Sequence, residues 1–179
     1  MTDPFEVLRI EPRFDVDLVA VEKRVRDLSR VLHPDRHAGA SAGQRRMSLG
    51  RAIDVNEAWR IVRDPIRRAE ALLRRAGAQP ADQDAKADPR FLVDFMEQRE
   101  ALSEAKRKGD KREIDRLASS VRARSAEATS RLSAGFSAAG DDPERLAALA
   151  AIVGELRYFR RFLDEVGVIE EERDEAAGR

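Results

Sequence analysis

Val31-Leu32-His33-Pro34-Asp35-Arg36-His37 breaks the chain between two long runs of apolar periodicity. Pro34 fixes its own φ and pushes His33 out of the helical region, so a helix must end here. The break carries an imidazole, a carboxylate and an arginine on a loop between two helices. Loops held by a rigid scaffold are where function tends to sit. For the tripeptide alone, a proline turn with ordinary polar residues is the better reading, because three fixed residues recur often by chance. The flanking sequence has to decide.

Upstream, from about Asp17, the residues Leu18, Val21, Val25, Leu28 and Leu32 stand three or four apart, one face of an amphipathic helix. Lys23, Arg24, Arg26 and Arg30 occupy its other side. Further upstream, Asp3-Pro4-Phe5-Glu6 reads as a helix start, with Asp3 as N-cap, Pro4 at N1 and Glu6 closing a capping box. Pro12 is expected to stop that short helix after Phe5, Leu8 and Ile10 have turned inward. Downstream, Gly39 to Gly43 reads as a loop, and a further helix is expected from about Gln44. Its Ala52, Val55, Trp59 and Val62 are spaced to face the preceding stripe. Asp64-Pro65 interrupts it and caps another short run through Ile66, Ala69, Leu72 and Leu73. The expected unit is two antiparallel helices with a short first helix across them.

Residues 77–88 are small, polar and aperiodic, and read as a linker. Asp88-Pro89 then opens a helix with Phe91, Phe95 and Leu102 on one stripe. Leu92, Val93 and Met96 widen its apolar arc beyond one seam, and Glu97, Glu100 and Glu104 follow at helical spacing on a neighbouring face. Extra core beside a solvated acidic edge explains this about as well as a mixed patch for a partner with basic residues. Gly109-Asp110 with Glu113 reads as a turn and capping box, opening a helix toward Gly135 or Gly140 with Ile114, Leu117, Val121, Ala128, Leu132 and Phe136 inside. Asp142-Pro143 starts the last helix, whose Leu146, Leu149, Ile152, Leu156, Phe159, Leu163 and Val166 are periodic. Gly167 is expected to end it, leaving residues 169–179 as a charged, frayed tail. Tyr158, the only tyrosine, falls beside its core face. These helices make a three-helix bundle.

Composition fits an all-α chain of two modules. Charged residues are 38% and aromatics 5% of 179, which suits solvated helices on narrow apolar seams. Residues 1–76 hold 16 of the 34 basic and 12 of the 34 acidic side chains, leaving 18 and 22 beyond, so the two parts carry about +4 and −4. The net charge of zero gives no field toward nucleic acid, and Glu22, Asp27 and Asp35 interrupt the basic hairpin. With no cysteine and only two histidines, neither a disulfide nor a zinc site is expected, and no cofactor is implied. No apolar run of membrane length and no signal sequence is present, so the expectation is a cytoplasmic protein with no membrane partner. His33 and Asp35 on one exposed loop, without nucleophile or pocket, do not make an acid–base enzyme.

A basic helix, His-Pro-Asp, and a helix bearing Trp59 resemble the J domain of DnaJ-type co-chaperones. The stretches Val55-Asn-Glu-Ala-Trp59, Pro65 to Leu73, Phe91 to Glu100 and Leu156-Arg-Tyr-Phe159 are similar to one branch, the HscB family of iron–sulfur cluster co-chaperones. That resemblance covers nearly the whole chain. It implies a J domain over 1–76, a linker over 77–88 and a three-helix bundle over 89–168. It implies that His33, Pro34 and Asp35, with Lys23, Arg26 and Arg30, dock on an HscA/DnaK-type chaperone and stimulate its ATPase. It further implies that Leu92, Val93, Met96, Glu97, Glu100, Glu104 and Tyr158 bind an IscU-type iron–sulfur scaffold protein. Some eukaryotic members add a cysteine-bearing N-terminal extension; the form expected here is bacterial. The competing expectation is a generic J-domain adaptor that brings a different client to the chaperone.

Overall fold

A computed structural model describes residues 2–32, 41–78, 88–140 and 142–177, and among these there is helix and no strand. The chain divides into two compact units, Met1–Gln79 and Pro80–Arg179. Residues 79–87, most of the expected linker, and the whole His33-Pro34-Asp35 loop lie outside the described residues.

In the first unit, helix α1 (Pro4–Leu8) starts where Asp3 accepts a hydrogen bond from the Phe5 N–H at 2.8 Å. The expected capping box does not close: the Glu6 carboxylate pairs with Arg75 of α4 (Pro65–Arg75) at 3.3 Å. Nor does Pro12 end the helix. Arg9 does, by taking left-handed φ 53°. Phe5 and Leu8 are buried, and so is Phe14, which the periodicity passed over.

Helix α2 (Leu18–Leu32) packs on α3 (Ala42–Arg63) through Val21 and Val25 on one side and Val55, Ala58, Ile61 and Val62 on the other. Leu18 is exposed and Leu28 and Leu32 are only half-buried, so the stripe is fully buried only at Val21 and Val25. Trp59 and Ala52 are likewise half-buried, and Ala58 and Ile61 take the inward places expected of them. Helix α3 also begins earlier than expected. Ser41 accepts from the Gln44 N–H and Gln44 Oε1 accepts from the Ser41 N–H, a closed capping box that draws Gly43 into the helix.

The joint between α3 and α4 follows from its proline. Pro65 has no N–H, and the next donor, the Ile66 N–H, is taken by Asp64 Oδ1 at 2.9 Å. The Val62 carbonyl therefore lacks its helical partner. Arg68 Nη1 donates to it at 2.6 Å, while the guanidinium lies 5.0 Å from the Phe14 ring centroid. Arg68 is the one buried charged side chain among the described residues, and burial lowers its pKa against the opposing pull of Asp15 and Asp64.

The second unit holds α5 (Pro89–Lys108), α6 (Lys111–Ala139), α7 (Pro143–Ala148) and α8 (Ala150–Ala177). Asp88, Asp110 and Asp142 cap α5, α6 and α7. At Asp110 only half of the expected capping box forms, because the Glu113 carboxylate goes to Arg116 at 2.6 and 2.7 Å. Ion pairs Arg99–Glu165 and Lys106–Glu172 step along α5 and α8 in the same direction, so these two run parallel and α6 returns between them. The expected last helix is two helices, broken at Leu149. Gly135, expected as a possible helix end, sits inside α6, at a place where a Cβ would overlap the Leu149 Cδ2 methyl. Nor does Gly167 stop α8. It has no positive φ, Ile169 beyond it is buried, and Glu172 holds Lys106 at 2.9 Å, so residues 169–177 are helix rather than a frayed tail.

Candidate functional site

Two surfaces carry the expected site residues, one on each unit. On α2, Lys23, Arg26 and Arg30 are exposed on one side of the helix, away from buried Val21 and Val25. Arg26 pairs with Glu22 at 3.3 Å and Arg30 with Asp27 at 3.6 Å, both along the helix. Exposed pairs of this kind are worth about 0.3–0.5 kcal/mol, so a partner's carboxylate can replace either acid at small cost. Arg24 is set apart from this group: its guanidinium donates to the Arg9 carbonyl at 2.9 Å, tying α2 to the end of α1. His33, Pro34 and Asp35 lie outside the described residues.

On α5, helical geometry sorts the remaining candidates into two rows. Phe91, Phe95, Leu102 and Ala105 are buried. Leu92, Met96, Arg99 and Ser103 follow at steps of four, three and four, and Arg99 reaches Glu165, so this row borders α8. Val93, Glu97, Glu100 and Glu104 form the next row, facing away from the bundle. Met96 is 70% exposed and Val93 56%, while Leu92 is half-buried. The question left open by periodicity is thereby answered for two of the three: Met96 and Val93 are not core.

The glutamates are not equivalent. Glu104 accepts from Arg107 and from Lys108 at 2.9 Å, and those hydrogen bonds, Arg107's first, hold its carboxyl below the usual carboxylate range. Glu97 and Glu100 are exposed and have no ion-pair partner among the described residues. An incoming cation meets two uncommitted carboxylates and one already engaged.

Tyr158 on α8 is half-buried beneath this face. Its ring lies edge-on to Phe91 at 5.7 Å and Phe95 at 5.2 Å, part of an aromatic cluster with Phe159 and Phe162. Arg124 of α6 covers Phe91 and Phe159 at 5.6 and 5.2 Å. Rings so packed hold the backbone of α5 firmly under Leu92 and Met96. Sequence reasoning missed Arg99 and Arg161 at this surface. The guanidinium of Arg161 lies 4.5 Å from the Tyr158 ring centroid, and an arginine three residues after an aromatic on one helix was the available signal.

Among the described residues, no group of three or more His, Cys, Asp or Glu is placed to hold a metal ion, and no helix is long and apolar enough to cross a membrane.

The family model described as the HSCB C-terminal oligomerisation domain matches residues 87–167. The co-chaperone protein HscB homolog of Shewanella sp. (strain ANA-3) is 35% identical over 169 residues, 93% of this chain and 96% of that one. The homolog from Azoarcus sp. (strain BH72) is 34% identical over 165 residues, 92% of this chain and 91% of its own. Among solved structures, chaperone HscB from Vibrio cholerae superposes with a TM-score of 0.82 at 26% identity, covering 96% of this chain and 99% of that one. Human co-chaperone protein HscB gives 0.85 at 24% identity, covering 95% and 83%, a likeness of fold. These matches put the chain in the class of J-domain co-chaperones, an all-α J domain followed by a C-terminal helical bundle. Within that class it belongs to the HscB family.

Proposed function

We propose that this protein binds an IscU-type iron–sulfur scaffold through the outer face of α5 and delivers it to an HscA/DnaK-type chaperone, whose ATPase its J domain stimulates. The observation that carries the reading is the face itself, where exposed Met96 and Val93 lie beside uncommitted Glu97 and Glu100 on a helix fixed by packed aromatics. An apolar centre with a charged edge suits a protein partner that presents its own apolar group ringed by basic residues.

The mechanism has two halves. Burial of Leu92, Val93 and Met96, with Glu97 and Glu100 pairing basic groups, holds the scaffold. Lys23, Arg26 and Arg30 steer the J domain onto the chaperone, and the His33-Pro34-Asp35 loop favours the hydrolysis-competent state of its ATPase. Holding both partners at once turns a weak scaffold–chaperone contact into an intramolecular one. The protein makes and breaks no bonds itself, needs no cofactor, and acts in the cytoplasm.

The test is chaperone ATPase measured with this protein, with and without scaffold. Stimulation by the two together beyond the sum of each supports the reading. His33→Gln should abolish stimulation while leaving scaffold binding intact. Leu92→Ala with Met96→Ala should weaken scaffold binding and remove the synergy, each buried side chain being worth about 1.5–3 kcal/mol. Stimulation without synergy, or with an unrelated unfolded client as effective as the scaffold, would turn the assignment to a generic J-domain adaptor.

A further inference from the structure

The seam between α5 and α8 carries charged groups from both helices. Along α8, Tyr158, Arg161, Glu165, Val168 and Glu172 follow at steps of three and four, which places them in one row. Glu165 and Glu172 of that row reach Arg99 and Lys106 of α5, at 3.5 and 2.9 Å. The row therefore borders the same seam as Leu92, Met96, Arg99 and Ser103. Three of its polar residues touch α5 or are paired to it. Arg161 is the exception.

Arg161 is exposed, and its guanidinium is set over the Tyr158 ring, which in turn packs on Phe91 and Phe95. Those two phenylalanines immediately precede Leu92 and Met96, so the cation stands at the α8 edge of the apolar patch. Among the described residues it has no carboxylate within ion-pairing distance. Glu165, one turn further on and able to pair at i+4, is engaged by Arg99 instead. A planar guanidinium resting on an aromatic face keeps its outward N–H donors in a fixed fork, which suits bidentate capture of a carboxylate.

We propose that the docking face of the bundle spans the α5–α8 seam, with Arg161 receiving an acidic group of the same partner whose basic groups meet Glu97 and Glu100. The inference rests on the scaffold-binding reading above and adds to it the charge pattern of the partner: apolar in the middle, basic toward Glu97 and Glu100, acidic toward Arg161. Such an arrangement of opposite charges fixes the orientation in which the partner sits, since turning it end for end sets like charges against each other.

Scaffold titration with the full-length protein tests it, using the parent, Arg161→Met, Arg161→Glu and the Leu92→Ala/Met96→Ala variant. Helical circular dichroism and melting confirm that each folds. Arg161→Met should weaken binding about tenfold and make it less sensitive to salt; Arg161→Glu should weaken it further, because repulsion replaces the lost attraction. If Arg161 served only to cover Tyr158, the Met and Glu variants would fall by the same amount and the salt sensitivity would not change, which overturns the proposal. Full affinity in Arg161→Met beside lost affinity in the double alanine variant also overturns it, and leaves the α5 reading standing. Full affinity in all variants removes both.

Discussion

Replacing Arg68 is the most discriminating perturbation of the J domain, because two opposing terms act on it and the structure gives both. Arg68 supplies the donor that the proline break withholds from the Val62 carbonyl, and stacks on Phe14. In Arg68→Met, a buried carbonyl loses its only described donor, a loss of about 1–3 kcal/mol, and the cation–π contact removes about 0.5–2 more. Against this, the methionine no longer buries a charge, and the Arg68 Nε, which is buried without a partner, disappears. The carbonyl and ring terms should prevail, leaving a net destabilisation of about 1–3 kcal/mol. For a unit of this size that corresponds to a fall in melting temperature of roughly 5–20 °C. Trp59 is the only tryptophan and Tyr158 the only tyrosine, one in each unit, so urea unfolding followed by tryptophan fluorescence reports the J domain separately. Arg68→Lys should be no more stable than Arg68→Met, since an ammonium keeps the charge but neither stacks flat on Phe14 nor presents a fork. An unfolding midpoint for Arg68→Met at or above the parent value would refute the reasoning, and a Lys variant at parental stability would show that charge alone holds the joint.

Three further outcomes are expected. Gly135→Val should destabilise the bundle by about 1–3 kcal/mol through overlap with Leu149, read from its thermal melt by circular dichroism; combined with Leu149→Ala, the losses should not add, because the second change removes the obstructing methyl. In scaffold titrations, Glu97→Gln and Glu100→Gln should each slow association more than Glu104→Gln does, as Glu104 is neutralised by Arg107 and Lys108; equal effects at all three would contradict the pairing. The Glu113 carboxyl is held below its ordinary value of 4.5 by hydrogen bonds from Arg116, so its contribution is present above that pH and is lost as pH falls through the lowered folded value. Glu113→Gln should therefore lower bundle stability slightly at neutral pH and leave it unchanged in acid, so that the melting temperature depends less steeply on pH below the ordinary carboxylate value.

Much of this architecture was legible because local rules and packing agree. Asp3, Asp64, Asp88 and Asp142, each followed by proline, open four helices, and each carboxylate accepts the N–H it should. The reading failed where a residue's meaning depended on a distant neighbour. Gly43 looked like a breaker, but the Ser41–Gln44 box caps the helix around it; Gly167 looked like a stop, but Ile169 still has a core to enter. Glycine is permissive, and tertiary contacts choose among its conformations. Capping boxes failed at Glu6 and Glu113 for the same reason, since an arginine offered a better partner than a backbone N–H. On α5, periodicity named candidate residues without grading them. Only side-chain pairing shows that Glu104 is engaged and Glu97 free.

That grading bears on the proposal that a chain with equal numbers of acids and bases takes a different partner at each of two surfaces. On the two candidate surfaces some charges are engaged by neighbours three or four residues away: Glu22 with Arg26, Asp27 with Arg30, and Glu104 with Arg107 and Lys108. Four charges at those surfaces have no ion-pair partner among the described residues: Lys23 on α2, Glu97 and Glu100 on α5, and Arg161 on α8. Those four are positive on α2 and mixed across α5 and α8, so under the proposed function a partner suited to one surface is not suited to the other. Specificity of this kind is a difference between affinities, and it is weakened as readily by freeing a paired charge as by removing an unpaired one. Replacing Arg107 and Lys108, neither of which was among the expected site residues, should free Glu104 and so change which basic partners the α5 face accepts.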